Sequence, residues 1–94
     1  MSHQTNTLND IKALTEAGNY PQAMTRLNDY IDLHPDSADA LFMRGKLFWR
    51  LGERARATAD YAASAAIQPD GAAACALEHA RDIEAFFNPD LLNP

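Results

Sequence analysis

Cysteine occurs once in the 94 residues, at Cys75, so no internal disulfide can form and nothing points to an oxidising compartment. Basic residues are also few, 8 against 13 acidic ones, for a net charge of −5. Non-specific attraction to nucleic-acid phosphates needs a concentrated basic face, so no nucleic-acid partner is expected. No stretch approaches the roughly 20 apolar residues needed to cross a bilayer, and no membrane partner is expected either. The opening MSHQTNTLND has no basic start followed by an apolar run, so it does not read as a secretory signal. β-branched residues are scarce and no segment alternates with period two, which argues against strands. The expectation is a soluble, cytoplasmic, all-α protein.

What the chain does have is alanine, which supplies much of its 47% hydrophobic content. Alanine buries little area but allows helices to approach closely. The length suits one domain and is too short for two. Its core should therefore be helix on helix, with a thin margin of stability.

Sliding the chain over itself by 34 residues aligns Lys12 with Lys46, Gly18 with Gly52, Ala23 with Ala57, Pro35 with Pro69 and Asp36 with Asp70. The same offset pairs Leu8 with Phe42, Leu14 with Phe48, Leu27 with Tyr61 and Leu33 with Ile67. Five identities decide little by count, but they fall at turns and at sites of close helix contact. Each unit reads as two helices. Leu41, Gly45 and Phe48 form one amphipathic stripe, and Gly52 stands where a left-handed C-terminal cap belongs. Ala57, Tyr61, Ser64 and Ile67 form the stripe of the next helix, which Pro69 closes. Unit one repeats this with Ile11, Leu14 and Gly18, then Ala23, Leu27, Tyr30, Leu33 and Pro35. Pro21 falls just inside a helix start, while Asp36 or Ser37, and later Asp70, are natural N-caps. Gly45 is expected to let the second helix come close, with Ala23 and Ala57 allowing the same approach from the other side, and Tyr61 and Phe48 are expected to fill the wedge between neighbouring hairpins.

A 34-residue helix-turn-helix unit carrying Leu41, Gly45, Phe48, Gly52, Ala57, Tyr61, Ile67 and Pro69 resembles a tetratricopeptide repeat. Unit two is the closer match; unit one departs at Ile11, where a small residue is usual, and at Tyr30, where alanine is usual. The boundaries implied are repeat one over about 4–37, repeat two over about 38–71, a capping helix over about 72–87 and a tail over 88–94. In the fifth helix the strict offset would bury Glu78, His79 and Asp82. A shift of one residue buries Ala76, Ala80, Ile83 and Phe87 instead, and this register is preferred because unpartnered polar groups are costly inside a core.

The resemblance implies a right-handed superhelix of hairpins whose first helices line a concave groove that binds peptides. Placed by spacing from the buried stripe, Leu8, Phe42 and Leu77 form one row of that groove, and Lys12, Lys46 and Arg81 the next. Trp49 and Arg50 lie a turn further along. An apolar row beside a basic row suits a protein or peptide with apolar anchors and acidic groups or a free carboxylate. The plainer readings are that the lysines are solvated surface and that Trp49 covers the capping helix. The tail, with Asp90, Leu91 and Leu92, has the chemistry such a groove would take, and could pack there or over the end of the stack. One subset of the family clamps the carboxylate of heat-shock chaperones with lysines and asparagines. Leu8, Lys12 and Met43 stand at positions where that clamp expects other residues, so this role is not assigned.

Catalytic chemistry is not expected. Cys75, His79 and Asp82 are spaced to share a helix face, but a metal site needs three or four converging ligands and His3 and His34 are not evidently near. Gly18, Gly45, Gly52 and Gly71 are scattered and form no phosphate loop, and no serine has a histidine at useful spacing. No cofactor is expected. Two functions remain: an interaction module that binds a peptide in the groove, or a self-associating protein that dimerises through groove, capping helix or tail. Two and a half repeats lie near the minimum for an isolated stack.

Overall fold

A computed structural model describes the backbone of residues 7–87 and the side chains of residues 7–80. The chain forms five helices, the first and third having polar side-chain caps at their starts and left-handed glycines after their ends. Thr7 caps α1 (Leu8–Glu16), its hydroxyl accepting from the Asp10 N–H at 3.3 Å. Pro21 lies in the first turn of α2 (Tyr20–Leu33), where its missing N–H is not needed. Ser37 caps α3 (Ala38–Arg50) by accepting from the Ala40 N–H at 3.2 Å. Then come α4 (Arg54–Ile67) and α5 (Ala72–Phe87). Among the described residues there is no strand.

The turns inside the two hairpins are the same turn. Gly18 and Gly52 both take the left-handed conformation, at φ +83° and +82°. After α1, the Asn19 N–H donates to the Leu14 carbonyl and the Gly18 N–H to that of Thr15. After α3, Glu53 donates to Phe48 and Gly52 to Trp49. This six-to-one plus five-to-two pattern satisfies the carbonyls a helix end leaves open.

Substantial contacts run from each helix to its chain neighbours: α1 with α2, α2 with α3, α3 with α4, and α4 with α5. The core is correspondingly split. Ile11, Ala23, Leu27, Ile31, Ala40, Leu41 and Leu47 form one cluster across α1, α2 and α3. Ala57, Tyr61 and Ala80 form a second, with Phe42, Phe48, Trp49, Ala76 and Leu77 packed against it. Helix α3 feeds both. This is the arrangement of an open row, where a closed bundle would have one centre.

Small residues set the closest approach. A Cβ built on Gly45 would lie 2.6 Å from the Tyr61 ring and 3.2 Å from the Ala57 carbonyl. At the matched place in the first hairpin, Ile11 is fully buried together with Ala23 and Leu27. The two hairpins exchange sizes across the seam, glycine with tyrosine in one and isoleucine with leucine in the other.

Two expected core positions are corrected. Leu33 is 74% exposed and Ile67 is 44% exposed. Each lies six residues beyond the stripe residue Leu27 or Tyr61, which turns it about 120° off the buried face. In the first hairpin Ile31, four residues on from Leu27, takes the place. The shifted register of α5 holds where it is described: Ala80 is buried, Ala76 half-buried, and Glu78 and His79 exposed. Residues 4–6, the side chains of Ile83, Phe87, Asp82 and Arg81, and the tail 88–94 lie outside the described residues.

Candidate interaction surface

Helix α3 places its side chains by turn. Leu41, Gly45 and Leu47 are buried in the seams. Lys46 is exposed, and its Nζ stands 4.9 Å from the centre of the Phe42 ring one turn earlier. Phe42 is half-buried, its ring 5.8 Å from that of Tyr61. Trp49 is half-buried against the second cluster, with the Arg54 guanidinium 5.0 Å from its ring centre. Arg50 is exposed and donates from Nη1 to the Tyr20 hydroxyl at 3.1 Å, linking α3 to the start of α2.

On α1, Leu8 is half-buried against the first cluster and Lys12 is exposed. On α5, Leu77 is half-buried and packs against the second cluster. The side chain of Arg81 lies outside the described residues. Phe42, Lys46, Trp49 and Arg50 are thus grouped on consecutive turns of one helix, and Phe42 and Trp49, like Leu8 and Leu77, are shared with the core. Trp49 also lines a cavity of about 100 Å³ with Tyr61, Ala76, His79 and Ala80, between α3, α4 and α5. Burial there pushes the Tyr61 phenol above its ordinary pKa of 10.0.

A bidentate ion pair between α3 and α4 was not foreseen from sequence. Arg44 donates from Nε to Asp60 Oδ2 at 2.8 Å and from Nη2 to Asp60 Oδ1 at 2.9 Å. Its third donor, Nη1, reaches Asn28 Oδ1 on α2 at 2.9 Å. The pair therefore joins α3 to α4 and to the preceding hairpin. Asp60 is only 6% exposed, and a carboxylate so placed requires such a partner. Arg44 is held above its ordinary pKa, chiefly by the Asp60 hydrogen bond, against the opposing effect of burial. The available signal was spacing: Asp60 falls between Ala57 and Ser64 on the buried stripe of α4. Ser64 on that stripe is satisfied by donating to the Ala38 carbonyl at 2.7 Å.

Among the described residues no three of His, Cys, Asp or Glu converge as metal ligands, and no helix is long and apolar enough to cross a membrane. Cys75 is exposed.

Residues 12–37 match a family described as Tetratricopeptide repeat, a span running from α1 through α2 to the cap of α3. No curated protein matches the chain in sequence.

Proposed function

Since this is a helical repeat protein of the tetratricopeptide type, a class whose general role is protein–protein interaction, we propose that it is a non-enzymatic module holding a peptide segment along α1, α3 and α5. The observation that carries this reading is the grouping on α3. An exposed ammonium sits above a half-exposed aromatic ring, with a second aromatic and a second cation on the next turn. Such a surface favours an occupant with aliphatic anchors and carboxylates, because apolar ring faces stand beside cations and the Lys46 ammonium is covered on one side by the Phe42 ring.

In this reading Phe42, Trp49, Leu8 and Leu77 provide the apolar floor, while Lys12, Lys46, Arg50 and Arg81 meet acidic groups. The superhelical sweep of the family would bring these helices to the concave side. The reading places the protein in the cytoplasm, where an exposed thiol such as Cys75 stays reduced.

Trp49 is the only tryptophan and reports directly on this surface. Adding a synthetic peptide of leucine and aspartate should shift its emission, while a leucine and lysine peptide should not. Lys46→Glu should abolish the response with helicity unchanged. Equal responses to both peptides, or a response that survives Lys46→Glu, would rule the reading out.

A further inference from the structure

In the 34-residue alignment, Arg44 corresponds to Asp10 and Asp60 to Arg26. The residue types of the second hairpin's ion pair thus recur in the first with their charges exchanged between the helices. The surroundings correspond too, with Ala13 matching Leu47 and Leu14 matching Phe48.

In the second hairpin this face is covered by the first. Leu47 is 1% exposed within the cluster that contains Leu27 and Ile31, and Arg44 reaches Asn28. In the first hairpin nothing precedes it among the described residues. Asp10 and Ala13 are exposed, Leu14 and Arg26 are half-buried, and the four line one open cleft of about 380 Å³. Neither the Asp10 carboxylate nor the Arg26 guanidinium makes an ion pair or side-chain hydrogen bond among the described residues.

We propose that this end face is the interface of a symmetric homodimer, in which Asp10 of each copy pairs with Arg26 of the other across a centre formed by Ala13 and Leu14. A face with an acid on one side of an apolar centre and a base on the other is its own complement under a two-fold axis. In the second hairpin, where this face is covered, Arg44 pairs with Asp60 inside the hairpin and still sends Nη1 across the seam to Asn28 Oδ1, so a cation of this face can reach an oxygen acceptor on the element that covers it. The occupant is a second copy because the face carries both halves of the required charge pair.

The surface is separate from the one proposed for peptides. At about 100° per residue, Asp10 and Ala13 lie on the flank of α1 roughly opposite Leu8 and Lys12, so dimerisation leaves that row open. The size of the face sets the strength. Helices of 9 and 14 residues span about 14 and 21 Å, giving roughly 300–400 Å² per copy, below the usual ~800 Å² per partner. The dimer should therefore dissociate in the micromolar range and weaken as salt rises.

The test uses the full chain, analytical ultracentrifugation over a wide concentration range, and circular dichroism as a check on folding. The chain should pass from a 10.3 kDa monomer to twice that mass as concentration increases. Asp10→Arg alone and Arg26→Asp alone should each weaken association about tenfold or more, through like charges facing each other. Mixing the two variants should restore it, because each then supplies what the other lacks, and only an intermolecular pair can respond to mixing. Glu78→Arg, an exposed change of the same charge as Asp10→Arg, should leave association unaltered. Should either reversal lose helicity, Ala13→Arg at its exposed site must block the dimer on its own. A monomer at every concentration would overturn the proposal. So would single variants that dimerise like the parent, or a mixture that stays monomeric.

Discussion

The two hairpins share a turn and differ in nearly everything packed against it. Gly18 and Gly52 adopt the same left-handed conformation with the same pair of hydrogen bonds, yet the seams beyond them are filled differently. The first closes through Ile11 against Leu27, ordinary aliphatic packing. The second closes through Gly45 against Tyr61, and adds a buried ion pair that reaches back to Asn28. Backbone turns tolerate little variation because only glycine takes a positive φ cheaply. A seam can be filled by any pair of side chains whose summed volume fits.

The largest break in this comparison should come from moving the first seam's residue into the second. Gly45→Ile should destabilise by more than about 3 kcal/mol, because the new side chain meets both the Tyr61 ring and the Ala57 backbone. Adding Tyr61→Leu, which completes the first hairpin's combination, should recover part of the loss in a denaturant titration. No recovery would mean that the seams differ in backbone spacing as well as in side chains.

Next in size is the ion pair. Asp60→Ala leaves the Arg44 cation partly buried without its carboxylate and should cost about 3 kcal/mol. Removing the carboxylate of the corresponding residue pair in the first hairpin, Asp10→Asn, should cost under about 0.5 kcal/mol in dilute monomer, since Asp10 is exposed. Comparable losses at both sites would erase the distinction drawn here.

The turns should behave alike. Gly18→Ala and Gly52→Ala have space for the added methyl but not the favoured φ, so each should lower stability by about 1–2 kcal/mol. The smallest effect is with pH. Tyr61 holds its proton more tightly in the fold than in the unfolded chain, so its contribution is complete below pH 10.0 and is lost as pH rises through the folded value. Tyr61→Phe should flatten that alkaline fall. Leu27, at the matched place, has no proton to lose.

Much of this was legible in the sequence because turns and small residues repeat in kind. The offset that paired Gly18 with Gly52 and Ala23 with Ala57 located both hairpins, and unfavourable burial of Glu78 and His79 gave the register of α5. Helix ends were harder. Leu33 and Ile67 match each other across the repeat, and that agreement carried both onto a stripe from which helical phase removes them. The ion pair escaped for a deeper reason. A search for like residues cannot detect a motif that recurs with its charges exchanged, and Arg44 against Asp10 reads as a mismatch. The proposed interaction surface follows from spacing as a grouping on α3, but spacing alone could not tell that Phe42, Trp49, Leu8 and Leu77 are shared with the core.

Both proposed surfaces exist only if the helices form an open row, and amide hydrogen exchange resolved by residue tests that directly. Helix α3, flanked by α2 and α4, should contain the slowest amides, with those of α1 exchanging on the order of a hundredfold faster. Equal protection of α1 and α3 would mean that the ends of the row close on each other, and neither surface would then be free.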